Sequence, residues 1–410
     1  MKFVIFVQMQ KYFIFVLLFS VSVFGQDIRS IQLHNPQTND QTPVIGVNEQ
    51  LVLRFDDLSN SSTIYRYTFK HYDRSWKEDG LFFTEFASGS MNALIDQFQY
   101  SFNTLQKYTH YELVFPNEKI RPKISGNYEI IVYKTSPEKP LFKRRFYIVE
   151  DGATVGLQID RHMDSRRPYV NQRVQVQAAS AGADLVTNAN SVSLNVMQNN
   201  NPHMALWNMR PSTTLGGRLM WQQLDLAFPG NNEFYYFDNK NINQGFDMVA
   251  GGEIIGNENH TYLHPVWAYP LNYQFQPDVN GAFYFRRNDL GIERNADTEG
   301  DYAWVYFSLD SEPYPHPIYV LGGFNNFQAD DKSRMVYDEG KRQYVAKIYL
   351  KQGFYNYILA TENGNALDFG EINGNFWQTE NLYQAFLYYR PFGRNFDALV
   401  GYGEFRTPVR

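Results

Sequence analysis

The chain has 410 residues, a formal net charge of −6, 30 tyrosines, 33 phenylalanines and no cysteine. The missing thiols exclude a disulfide, a thiolate metal site and a lipid on an N-terminal Cys, and an acidic chain without a basic stripe argues against nucleic-acid binding. At roughly 100 to 200 residues per domain the length predicts several domains, and the aromatic content favours sheets, on whose pleated surfaces such side chains pack well.

Residues 1–25 set Lys2 and Lys11 ahead of an apolar run from Tyr12 to Phe24, with Gly25 at a candidate cleavage site before Gln26 and Asp27. This is the pattern of a secretory signal peptide. The run falls short of the about 20 apolar residues that a membrane span needs. Export is therefore expected, with the mature chain soluble or peripheral to a membrane rather than spanning it.

A first domain is expected over residues 26–150. Leu51, Leu53 and Phe55 alternate with Val52, Arg54 and Asp56, and Tyr65, Tyr67 and Phe69 alternate with Arg66, Thr68 and Lys70. Each strand so gains one core face and one wetter face. Ser125-Gly126-Asn127 supplies turn chemistry before the alternating strand that carries Tyr128, Ile130 and Val132. Residues 142–149 read as the closing strand. Two packed sheets are the simplest way to bury such faces.

A second domain, residues 151–288, opens in the same way with Val174, Val176 and Ala178, followed by Val192, Leu194 and Val196. Its Asn-rich loops at 198–202 and 229–232 are the expected places for partner contacts, since loops on a rigid sheet carry much of a protein's recognition. Residues 289–301 are polar and read as a linker. A third domain follows over 302–410. The expected fold class is all-β, with three consecutive immunoglobulin-like or early-set β-sandwiches after the signal peptide.

No constellation of catalytic residues emerges. His260 and His264 would share a helix face, but Pro265 follows and Thr261 stands where a metalloprotease needs Glu. Gly251, Gly252 and Gly256, like Gly322 and Gly323, lack a phosphate-loop pattern and read as turns or bulges. Asp330 and Asp331 lack calcium-loop spacing and read as a solvated turn. There is no G-x-S-x-G elbow and no thiol nucleophile. Tyr108 and His110 should share one strand face and Tyr111 the other, so packing is expected for at least one set, against a docking platform as the alternative. No catalytic, cofactor-binding or metal-ligating residue is assigned; no cofactor is expected and the partner-binding residues are left open.

Residues 102–134 hold NTLQKYTHY, FPN and ISGNY in that order. This block resembles the N-terminal domain of the type IX secretion system plug proteins of Bacteroidetes, as do IYRYTFKHYDRSW at 64–76 and QTENLYQAFLYYRPFGRNFDALVGYG at 378–403. The resemblance implies a non-enzymatic component that sits at the periplasmic mouth of the outer-membrane translocon barrel and blocks it when idle. A second resemblance, IYVLGGFNNF at 318–327, is to the glucan-binding early-set modules, with Phe327 where their platform has Trp. It motivates an alternative function, a glycan-binding protein of a polysaccharide-uptake system. A small outer-membrane β-barrel ranks behind both, because Arg66, Lys70 and Arg173 would have to meet lipid or lumen.

Overall fold

The computed structural model describes residues 27–162, 170–181, 184–268 and 270–409; the expected signal peptide, residues 1–25, lies outside them. The described chain is nearly all β, with helix confined to single turns such as Phe83–Phe86 and Ala296–Glu299. Its large sheets pair into three sandwiches.

The first sandwich packs the strands Ile28–His34, Leu51–Asp57, Thr109–Phe115 and Phe98–Tyr100 against Val44–Gly46, Pro140–Val149, Gly126–Tyr133, Tyr65–Tyr72 and Ala93–Ile95. Strand alternation selects the core: Leu51, Leu53 and Phe55 point inward to meet Tyr65, Tyr67, Tyr128 and Ile130. Phe55 stacks on its neighbour Tyr111 at 5.0 Å between ring centroids. On the opposite face the register sets Arg54 beside Glu112 and Asp56 beside His110.

The second sandwich joins Ala153–Arg161, Asn171–Ser180, Arg218–Trp221 and Thr213–Leu215 to a sheet of Asn201–Met209, Val192–Gln198, Leu382–Tyr389 and Ala398–Arg406. Val174, Val176, Val192 and Leu194 fill its core with Trp221 and Leu387. The third lies between, in sequence, strands of the second: Tyr235–Asp238, Phe283–Phe285, Ile318–Leu321 and Gly353–Asn363 cover Val249–Ile255, Glu258–Leu263, Tyr302–Asp310 and Gln343–Lys351.

The expected boundaries 151–288, 289–301 and 302–410 therefore do not follow the sheets. Val192–Gln198 pairs antiparallel with Leu382–Tyr389 from Val192↔Tyr389 to Gln198↔Tyr383, so residues near the end of the chain complete the second sandwich. Strands from Tyr235 to Leu263 belong to the third. Alternation identifies a strand from its own residues, whereas its partner is chosen by surfaces far away in sequence. The expected linker is also structured: Arg287–Asp289 pairs with Ile292–Arg294, a helical turn follows at Ala296–Glu299, and Asp301 is buried.

The first and second sandwiches meet along an apolar seam of Tyr147, Met197, Phe386, Tyr388 and Leu399. The Tyr147 and Phe386 rings lie 4.4 Å apart. Tyr388 Oη donates to Asn127 Oδ1 at 2.6 Å, and Arg74 Nη1 donates to Asp397 Oδ1 at 2.7 Å.

Candidate functional site

The wetter face of Leu51–Asp57 and Thr109–Phe115 turns toward the third sandwich rather than toward water. Asp56 Oδ2 accepts from Lys351 Nζ at 2.7 Å and from Tyr302 Oη at 2.7 Å. Asp56 Oδ1 lies 2.6 Å from His110 Nδ1. Burial opposes ionisation of Asp56, yet Lys351 and His110 hold its carboxyl below the usual range. The Lys351 ammonium also sits over the Tyr108 ring at 4.3 Å from its centroid, a cation–π contact strengthened by desolvation.

Around this centre the contacts are polar and directional. Tyr108 Oη donates to the Gly300 carbonyl at 2.8 Å, and the Asp301 carboxylate accepts from the Leu105 and Gln106 amides at 2.7 and 3.2 Å. Gln32 Nε2 donates to the Phe283 carbonyl at 3.1 Å. At the rim, Arg54 Nε donates to Glu112 Oε2 at 2.8 Å, and Arg54 Nη1 lies 3.4 Å from Asp297 Oδ2. Burial first, and then the Arg54 guanidinium, push the nearby His34 imidazole down to about 4, so it is neutral at physiological pH.

A cleft of about 600 Å³ opens where the three sandwiches meet, lined among others by Arg145 and Tyr147 of the first, Met197 and His203 of the second, and Phe283 of the third. Guanidinium, imidazole, amide and aromatic groups converge there, which suits recognition of a polar chain with some apolar side groups.

The strand faces separate the aromatic trio as expected. Tyr111 belongs to the first core, while Tyr108 and His110 are buried against the third sandwich. His260 lies on the strand Glu258–Leu263 with Nδ1 2.9 Å from Tyr306 Oη, and His264 follows beyond the strand end, so strand geometry replaces the shared helix face. A bulge shifts the register between Val249 and Gly251, and a Cβ on Gly252 would meet the Ile242 carbonyl oxygen at 2.2 Å. Asp330 Oδ1 accepts from the Lys332 and Ser333 amides in a turn.

Phe327 is 3% exposed and packs in a cluster with Phe234, Leu321 and Ile358, so its ring presents no stacking surface to a sugar. The Asn-rich loops also turn inward. Asn199 Nδ2 donates to Asn381 Oδ1 at 2.7 Å, and Asn232 Nδ2 to the Asn373 carbonyl at 2.9 Å, fastening the second sandwich to its own returning strands and to the third. Sequence reasoning missed Lys351, Tyr302 and Asp301. Their only local signal is a lysine beside aromatics, and a surface strand end gives the same one.

Residues 28–150 match the family of the type 9 secretion system plug protein 1st domain. The fold matches the crystal structure of a hypothetical protein from Parabacteroides merdae with a TM-score of 0.88 at 28% identity, covering 93% of this chain and 97% of that one. No curated protein matches the chain. The described residues contain no helix long and apolar enough to cross a membrane. The strands that form the first sandwich and present Asp56, Tyr108 and His110 all lie within the matched residues, so it is this first sandwich that is similar to the type 9 secretion system plug protein 1st domain.

Proposed function

We propose that this protein is a non-enzymatic component of the type 9 secretion system that closes the periplasmic mouth of the outer-membrane translocon barrel when no cargo is passing. The match of residues 28–150 to the plug first domain carries the reading. A wide barrel leaves an aqueous lumen, and closing it requires a body whose parts do not swing apart. Three sandwiches locked by an apolar seam and a buried ion pair supply such a body. The contact with the barrel is spread over a surface, so affinity comes from many modest interactions rather than from two or three reacting groups. In this reading the mature protein is periplasmic, peripheral to the outer membrane, and binds neither nucleic acid nor a cofactor.

Uptake of a large polar antibiotic, measured in a deletion strain with and without the translocon barrel, tests the proposal. Increased uptake that depends on the barrel is expected. Unchanged permeability in both backgrounds would overturn it.

A further inference from the structure

At the rim of the interface between the first and third sandwiches, His110, Glu112 and Asp297 each bring one potential ligand atom to within 4.8 Å of the others, and among the described residues no other group of three does so. His110 is 5% exposed. Its Nδ1 is held by Asp56 Oδ1 at 2.6 Å, while Nε2 is buried and has no hydrogen-bond partner. A carboxylate on Nδ1 fixes the imidazole proton there and leaves the Nε2 lone pair available, the arrangement seen behind metal-bound histidines.

The carboxylates retain capacity as well. Arg54 engages Oε2 of Glu112 and Oδ2 of Asp297, leaving the second oxygen of each for an ion. All three residues line a cleft of about 360 Å³ that also presents the amides of Gln97, Gln99 and Asn295, a polar space in which water can complete a coordination shell. We infer that His110, Glu112 and Asp297 form a binding site for a divalent cation of the zinc class. One imidazole and two carboxylates suit such an ion, whereas calcium asks for six to eight oxygens. Because Glu112 belongs to the first sandwich and Asp297 to the third, a bound ion ties the two together across their seam.

Titrating the metal-free protein with zinc chloride in a calorimeter tests it. Saturable uptake of one equivalent is expected, about tenfold or more weaker in His110→Ala and in Asp297→Asn, together with a zinc-induced rise in Tm of the parent protein that Asp297→Asn lacks. Asp297 lies on a partly exposed helical turn and accepts the Lys351 hydrogen bond through its backbone carbonyl, which Asp297→Asn retains, so this variant tests the site even if His110→Ala does not fold; circular dichroism verifies its fold. No saturable uptake, or uptake of equal strength in Asp297→Asn and Glu112→Gln, overturns the assignment.

Discussion

The Lys351 ammonium of the third sandwich lies 2.7 Å from the Asp56 carboxylate of the first, and both side chains are 0% exposed. Removing two charges from water costs more than an average ion pair returns, so such a pair persists only when other donors complete it. Tyr302 and His110 do so for Asp56, and the Asp297 carbonyl accepts a further Lys351 hydrogen bond at 2.8 Å.

Lys351→Met is expected to destabilise the protein by about 3 to 5 kcal/mol, since it strands a buried carboxylate. The double variant Asp56→Asn with Lys351→Met should lose less than Lys351→Met alone. Urea unfolding of the parent, both single variants and the double variant measures this coupling.

Tyr388→Phe should cost about 1 to 3 kcal/mol, because the Asn127 side-chain oxygen loses its donor in a buried seam. The same denaturant series gives the value. A loss near zero would mean that the first and second sandwiches are held by the apolar contacts alone.

Burial raises the Glu233 carboxyl to about 7, although Tyr273 and the Glu380 amide donate to it. Asp278 is likewise raised to about 7 by burial; Arg406 is the cation paired with this group, through Glu380. The folded protein so keeps the Glu233 proton at a pH where the unfolded chain, near 4.5, has released it. Stability falls as pH rises through that interval. Glu233→Gln should stabilise by about 1 to 2 kcal/mol at pH 8 and by nothing at pH 4, as thermal unfolding at the two pH values will show; Asp278 retains its own slope in the variant.

Affinity electrophoresis through glycogen should show no retardation, because Phe327 is enclosed by Phe234 and Leu321. Phe327→Ala should instead cost about 3 to 5 kcal/mol through the cavity it leaves. Retardation abolished by that substitution would identify the third sandwich as a sugar-binding module.

The strands were legible where their pattern is local. Leu51, Leu53 and Phe55, or Val174, Val176 and Ala178, reveal an inward face through period-two alternation alone. Asp56 shows the limit of that reading. Alternation assigns it to the wetter face, and only Lys351, 295 residues away, decides that this face is buried. The same limit hid the pairing of Val192–Gln198 with Leu382–Tyr389, while Phe327 shows that an aromatic at a platform position can serve as core.

The return of Leu382–Tyr389 and Ala398–Arg406 to the second sandwich orders events during synthesis. With the N-terminus leading, the first sandwich can close as soon as residue 149 emerges, but the second waits with Val192, Leu194 and Val196 uncovered until the whole third sandwich has followed. Such long-range pairing makes assembly slow and leaves an unpaired, aggregation-prone edge in the interval. Chain loss after residue 378 would remove two of the four strands of that sheet and with them Tyr388 and Asp397, so premature termination strips the first sandwich of most of its seam with the second while the residues that meet it from the third remain.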